Sequence, residues 1–360
     1  MQIQAHRLHK DRIQLNYYAD IHIGTPPKLF RAQIDIGWTD VFVPSAKCCE
    51  DLFERRYNSS ESSTYRANKS PVYLNYAGFY TSGILSQDTM HVSGIEIQNQ
   101  VFEEASEVRV VPFWDFPFES VLGLARLPMS NTASSNFTVI SAFHNMVSQK
   151  LLTRNIFSLK LSQGKPGQQP GELMFGDTNR DLYKGELFTL PVTNVSSNAR
   201  RGGYVLSSGW QVSARSVSLG CSSRFNTTHF PLVNYTAAFS TLYPFITLPE
   251  QIRQEILEII GADEDASVAC DRRSELPDLT ISLGPHGHNF VLTPWDYLRT
   301  DLAWDEGPRC QSVISVTEED EEKYIILGSA FLGRFYSVFD YDEETISRKS
   351  PARIRCDSQY

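Results

Sequence analysis

Long hydrophobic runs are missing from this chain: no stretch reaches the roughly 18 apolar residues that a membrane-crossing helix needs. The first residues, Met1 to Gln14, are polar and lack the apolar centre of a signal peptide, so no targeting segment is expected within this sequence. Lys and Arg are not clustered and the formal net charge is −9, which argues against a nucleic-acid surface. The dense acidic run, Glu318 to Glu322, reads as a solvated turn. Histidine is scarce, eight in 360 residues, and His286-Gly-His288 is at most half a metal site, so no metal and no cofactor are expected. Gly202 and Gly203 make no phosphate loop.

Cysteine is sparse but not absent. Cys48 and Cys49 are neighbours, with Cα atoms about 3.8 Å apart, closer than unstrained disulfide geometry allows, so they are not expected to bond each other. Cys270 and Cys310 can close a loop together, and the partners among Cys48, Cys49, Cys221 and Cys356 stay open. Six cysteines and six sequons, at Asn58, Asn68, Asn136, Asn194, Asn226 and Asn234, read as a secretory glycoprotein, extracellular or vacuolar.

What is present is a large apolar share, 41% hydrophobic and 12% aromatic, enough for an extensive core and, on length, for about two lobes. Short alternating or apolar runs dominate: Leu15 to Ile23, Ala32 to Val43, Thr89 to Val101, Asn155 to Leu161, Leu187 to Val192, Gly209 to Val217, Asn289 to Leu292 and Tyr324 to Phe339. Helical patterns interrupt them at Val139 to Lys150 and at Pro249 to Ile260, the second with its proline in the first turn. Ser120-Val-Leu-Gly-Leu echoes Ile325-Ile-Leu-Gly-Ser, and Ala32 to Ser45 echoes Ala237 to Pro249. A duplicated lobe follows, with a boundary around Gly176 to Pro191, residues 14–180 forming one lobe and 181–360 the other. The ligand site then lies between them.

Several landmarks share one order and spacing. They are Ile21-His-Ile-Gly-Thr-Pro-Pro, the run Gln33-Ile-Asp35-Ile-Gly37-Trp-Thr-Asp-Val-Phe-Val-Pro-Ser45, Tyr76 seven residues before Gly83-Ile-Leu, Phe175-Gly-Asp, Gly209-Trp-Gln-Val and Ile326-Leu-Gly328. Together they make the chain, from Tyr18 to about Asp342, resemble the pepsin-like (A1) aspartic proteases, fungal members in particular. The resemblance implies an all-β, bilobal fold with a few short helices and a central cleft covered by a flap hairpin. It also implies that His286-Gly-His288 forms a hairpin turn.

The family's mechanism needs two carboxylates that share a proton and hold a water between them. Asp35 fits the first position. Aligned backward from Leu248-Pro249, the second loop reads Ala237-Ala-Phe-Ser240-Thr-Leu242-Tyr-Pro, with Ser240 where the second acid belongs; an alignment anchored on Val233 puts Asn234 there instead. Neither supplies an acid. Ile36 replaces the Thr whose hydroxyl ties the loops together, Trp38 replaces a small Ser, and Ala77 and Phe79 stand at flap positions that are usually glycine.

Asp35 then has two readings: a relic that caps backbone N–H groups, or a lone acid or base with Ser240, Thr241 and Tyr76 as hydrogen-bonding helpers. Trp38, Phe79, Tyr80, Phe113, Trp114, Phe116, Tyr243 and Phe245 fall on the loops, the flap and the pocket wall that the resemblance implies, and favour a hydrophobic small-molecule ligand or substrate. The expectation is a monomer that is not an ordinary endopeptidase. Its cleft serves a small molecule, through a dehydration or cyclisation by Asp35 or, alternatively, through binding alone; residual peptidase activity is the third reading.

Overall fold

The computed structural model describes residues 2–7, 15–76, 79–110, 118–127, 139–162, 170–193, 208–220, 227–300, 309–317 and 323–349. Strands dominate, as the all-β expectation requires. The strand Lys28–Asp35 pairs antiparallel with Leu15–Ile23 and parallel with Ser120–Gly123. The strand Thr228–Phe239 repeats the plan, antiparallel with Gln211–Gly220 and parallel with Tyr324–Leu327. The two echoed sequence segments therefore occupy the same place in two copies of one motif.

Between the copies runs an antiparallel sheet. It orders Gln2–Arg7, Gly171–Phe175, Ile156–Lys160, Tyr336–Asp340, Thr345–Lys349 and Phe188–Pro191, with strands from both ends of the chain interleaved. On it Phe157 stacks against Phe339 with centroids 4.6 Å apart, and Trp210 meets Phe157 edge-on at 5.8 Å. Each such ring contributes about 1.5–3 kcal/mol by leaving water. Trp210 also donates its indole N–H to the Leu124 carbonyl at 2.9 Å, which satisfies its one polar atom inside the core.

Strand Arg66–Tyr76 and strand Phe79–Val92 form the flap hairpin, closed by the pair Tyr76↔Phe79. Behind the flap, a second apolar cluster gathers Tyr18, Trp38, Phe42, Val72, Leu74 and Val108.

Local detail departs from expectation in four places. The apolar stretch Tyr324 to Phe339 is two strands, Tyr324–Leu327 and Tyr336–Asp340, divided by the helical turn Ser329–Leu332. A Cβ at Gly328 would lie 2.2 Å from the carbonyl oxygens of Tyr243 and Phe245, so this close approach, invisible in an apolar run, breaks the strand. The helix expected over Val139 to Lys150 is shorter, Ala142–Ser148, because the Ser141 hydroxyl accepts from His144 N–H and caps it. Pro249 precedes the helix Glu250–Ile260 rather than sitting in its first turn, since its ψ of 140° is extended.

The fourth departure is covalent. Cys48 and Cys49 are joined to each other, against expectation, with Cα atoms 3.7 Å apart. Cys49 adopts a left-handed φ of 60°, which turns the chain so that neighbouring side chains face one another instead of opposite ways. Cys270 and Cys310 pair as anticipated. Cys221, Cys356 and the acidic run 318–322 lie outside the described residues, as do Asn136, Asn194 and Asn226. Asn58 and Asn68 are half-buried, each side chain bonded to the hydroxyl of its own sequon serine, and Asn234 is exposed. No helix among the described residues is long and apolar enough to cross a membrane.

Candidate active site

Asp35 ends its strand and turns the chain. Its Oδ1 accepts from Gly37 N–H at 2.7 Å, while its carbonyl accepts from Leu124 N–H at 2.8 Å. The turn passes so close to Gly123 that a Cβ there would lie 2.5 Å from the Thr39 carbonyl carbon and 2.6 Å from Trp38 O. Only glycine permits that approach.

The second loop is built the same way. Asp35 stands in register with Gly123; one step past the last ladder pair, Phe239↔Leu327, Ser240 stands beside Gly328. Gly328 is pressed against Tyr243 and Phe245 as Gly123 is against Trp38 and Thr39. Ser240 Oγ accepts from Leu242 N–H and from Tyr243 N–H, each at 3.2 Å. The hydroxyl thus caps the turn two residues on, as the Asp35 carboxylate does. Asn234, the alternative counterpart, is exposed mid-strand with φ 63° and is no part of this loop. Asp35, Ser240 and Thr241 are all buried.

The two loops are tied by Thr241. Its hydroxyl donates to Ile34 O at 2.6 Å and accepts from Ile36 N–H at 3.3 Å. The expectation that Ile36 removes the bracing hydroxyl therefore holds for one direction only: Ile36 is an apolar core residue, yet the reciprocal brace from Thr241 survives. The Thr241 hydroxyl proton is therefore directed at the first loop's backbone.

The aromatic wall is dispersed. Trp38 is 3% exposed, inside the cluster behind the flap with Leu242 of the opposite loop packed on that cluster, so little of its ring faces the cleft. Its size explains this: an indole at a small residue's position fills the space beneath the loop before it can line the space above it. Tyr80 is 40% exposed on the flap strand. Tyr243 is half-buried against Ala238, Tyr324 and Ile326, and Phe245 half-buried against the main core. The side chains of Tyr76 and Phe79 lie outside the described set, as do Phe113, Trp114 and Phe116 altogether.

His286 lies in the turn between Asp278–Leu283 and His288–Leu292 and His288 begins the second of these strands, as the resemblance implied. Among the described residues no group of three or more His, Cys, Asp or Glu is arranged to hold a metal ion.

Two buried ionisable groups beside the loops escaped sequence reasoning. Glu103, 1% exposed on strand Ile95–Val110, accepts from the Thr81 hydroxyl of the flap strand at 2.6 Å. Burial pushes its carboxyl up to about 8, against the Thr81 hydrogen bond and with the neighbouring Asp40 carboxylate adding to the rise. Behind the second loop Arg348 is fully buried, its guanidinium carbon 3.8 Å from the centre of the Phe239 ring. A signal existed for Arg348: it lies two residues from the buried Ile346, on the same strand face. Glu103 carried the same sign, standing between Val101 and Ala105 on one strand face, both of them buried.

Residues 16–349 match the eukaryotic aspartyl protease family. Vacuolar protease A of Aspergillus fumigatus is 30% identical over 341 residues, spanning 93% of this chain and 78% of that protein. Cathepsin D of Bos taurus is 31% identical over 367 residues, 96% of this chain and 87% of its own, and cathepsin D of Homo sapiens is 30% identical over 370 residues, 96% and 83%. With a doubled strand-and-loop motif, a flap hairpin and this span of similarity, the chain belongs to the eukaryotic aspartyl protease family.

Proposed function

We propose that this family member is not a competent endopeptidase and that its cleft takes an apolar small molecule. One observation carries the reading: at the counterpart of Asp35 stands a hydroxyl, Ser240, bonded to its own turn. Peptide hydrolysis in this family's way needs one carboxylate to take a proton from water while the other gives one to the scissile carbonyl. A serine hydroxyl, with a pKa far above neutrality, can do neither task at acid pH.

Asp35 remains the acid or base for a dehydration or cyclisation of a bound molecule, a one-carboxylate reaction that needs no paired acid. Binding without catalysis is the second reading. The Oδ1 bond to Gly37 favours it, since that contact gives the carboxylate a structural reason to persist. The cleft wall on either reading draws on Tyr80, Tyr243 and Phe245.

The lobes divide near residue 180, and the protein works as a monomer. Its route is the secretory pathway, with sugars on its sequons and a vacuole-type destination. The Cys270–Cys310 pair, which needs an oxidising compartment, and the vacuolar proteases among its relatives support this.

The test is digestion of denatured protein at acid pH, with the wild type beside Ser240→Asp. Neither is expected to cut, because Ile36, Trp38 and Leu242 still stand where the family keeps Thr, Ser and Gly. Turnover by the wild type at a typical protease rate overturns the proposal, and rescue by Ser240→Asp alone overturns the part assigned to Ile36, Trp38 and Leu242.

A further inference from the structure

Arg348 lies on the strand Thr345–Lys349 and is fully buried. Its guanidinium sits 3.8 Å from the centre of Phe239 and 5.2 Å from that of Phe331. These rings offer π density to the cation but accept nothing from N–H groups that point along the guanidinium plane. Nε, Nη1 and Nη2 all lack a hydrogen-bond partner among the described residues.

Ser337 stands directly opposite Arg348 across the ladder and so on the same face of the sheet. It is 1% exposed, and its hydroxyl likewise has no partner among the described residues. A planar fork of N–H donors and one hydroxyl thus share a closed apolar neighbourhood that supplies no acceptor. Burial pushes the pKa of Arg348 well below the ordinary arginine value. The delocalised guanidinium nevertheless holds its proton too firmly to escape by becoming neutral. A buried charge that cannot neutralise itself needs a counter-charge with acceptor lone pairs.

We propose that Arg348 and Ser337 hold a small monovalent inorganic anion of halide size in the core beside Phe239, behind the second loop. The ligand is small because neither residue reaches solvent, which excludes a peptide carboxylate or a lipid headgroup. It is monovalent because one formal charge is to be balanced. Phe239, which packs against Arg348, immediately precedes Ser240, so the ion supports the second loop from behind. The inference is independent of what the cleft binds.

The probe is bromide. Crystals of the full chain grown in bromide are expected to show an anomalous peak between the Arg348 guanidinium and Ser337 Oγ. Melting in chloride or bromide is expected to exceed melting in gluconate at equal ionic strength by about 2 °C or more, a shift that Arg348→Met abolishes and Ser337→Ala reduces. Where Arg348→Met does not fold, Arg348→Lys keeps the charge with fewer donors and is expected to weaken the halide dependence. Water alone at the guanidinium, equal melting in the two anions, or undiminished halide dependence in these Arg348 variants overturns the proposal.

Discussion

Asp35 and Ser240 end equivalent strands, cap equivalent turns and lean on equivalent glycines, yet the surroundings of the two loops have opposite character. The first loop is backed by buried carboxylates, Asp40 and Glu103, and the second by a buried cation, Arg348. The brace is one-sided too: Thr241 reaches into the first loop through two hydrogen bonds, and Ile36 returns none. Backbone course and side-chain chemistry have therefore separated. The course is held by close packing of main chain on main chain at Gly123 and Gly328, whereas the side chains at the loop tips differ in charge and size.

If close packing fixes both courses equally, a methyl group at either glycine should be equally harmful. Gly123→Ala and Gly328→Ala each push a Cβ into backbone that has no flexible side chain to move aside. Both are expected to cost at least the upper part of the about 1–3 kcal/mol typical of overpacking, or to prevent folding. Urea unfolding of the two variants checks this, and a well-tolerated Gly328→Ala breaks the comparison.

The buried acid behind the first loop sets a pH dependence. Because the folded-state pKa of Glu103 is raised, from 4.5 to about 8, the folded protein holds a proton that the unfolded chain releases. That stability is fully present below pH about 4.5 and is lost as pH rises through about 8, with a slope approaching 1.4 kcal/mol per pH unit in between. Glu103→Gln keeps the shape and the Thr81 contact while removing the titration, so its unfolding free energy should vary less over that window. An unchanged slope in denaturation curves taken across the window would falsify the assignment.

The smallest expected effect concerns the one-sided brace. Thr241→Val keeps the volume and leaves a buried N–H and C=O of the first loop unpaired, at a cost of about 1–3 kcal/mol. Ile36→Val, which removes a methyl group and no hydrogen bond, should cost only about 0.5–1.5 kcal/mol. Equal losses would mean that the brace no longer couples the loops.

Much of this was legible. Leu15 to Ile23 is a strand over its full expected length, and the apolar runs around Asp35 and Ser240 were recognisable as two copies of one motif. The choice between Ser240 and Asn234 was not, because both follow from reasonable alignments. The parallel ladder Thr236↔Tyr324 to Phe239↔Leu327, a pairing between segments far apart in the chain, is what brings Ser240 beside Gly328. The helical turn Ser329–Leu332 was hidden for a similar reason: an apolar run states that a segment is buried, not which backbone shape its neighbours allow.

By itself the sequence determined that the chain folds into strands and short turns, that two segments repeat one pattern, and that the stretch from Ala237 to Pro249 holds no Asp or Glu, since these follow from residue identity and local spacing. Only the tertiary structure decided that Trp38 fills the space beneath its loop, that the Thr241 hydroxyl is committed to the opposite backbone, and that Glu103 and Arg348 are sealed from water. Burial and hydrogen-bond partners are set by residues brought together from distant parts of the chain, and no local pattern records them.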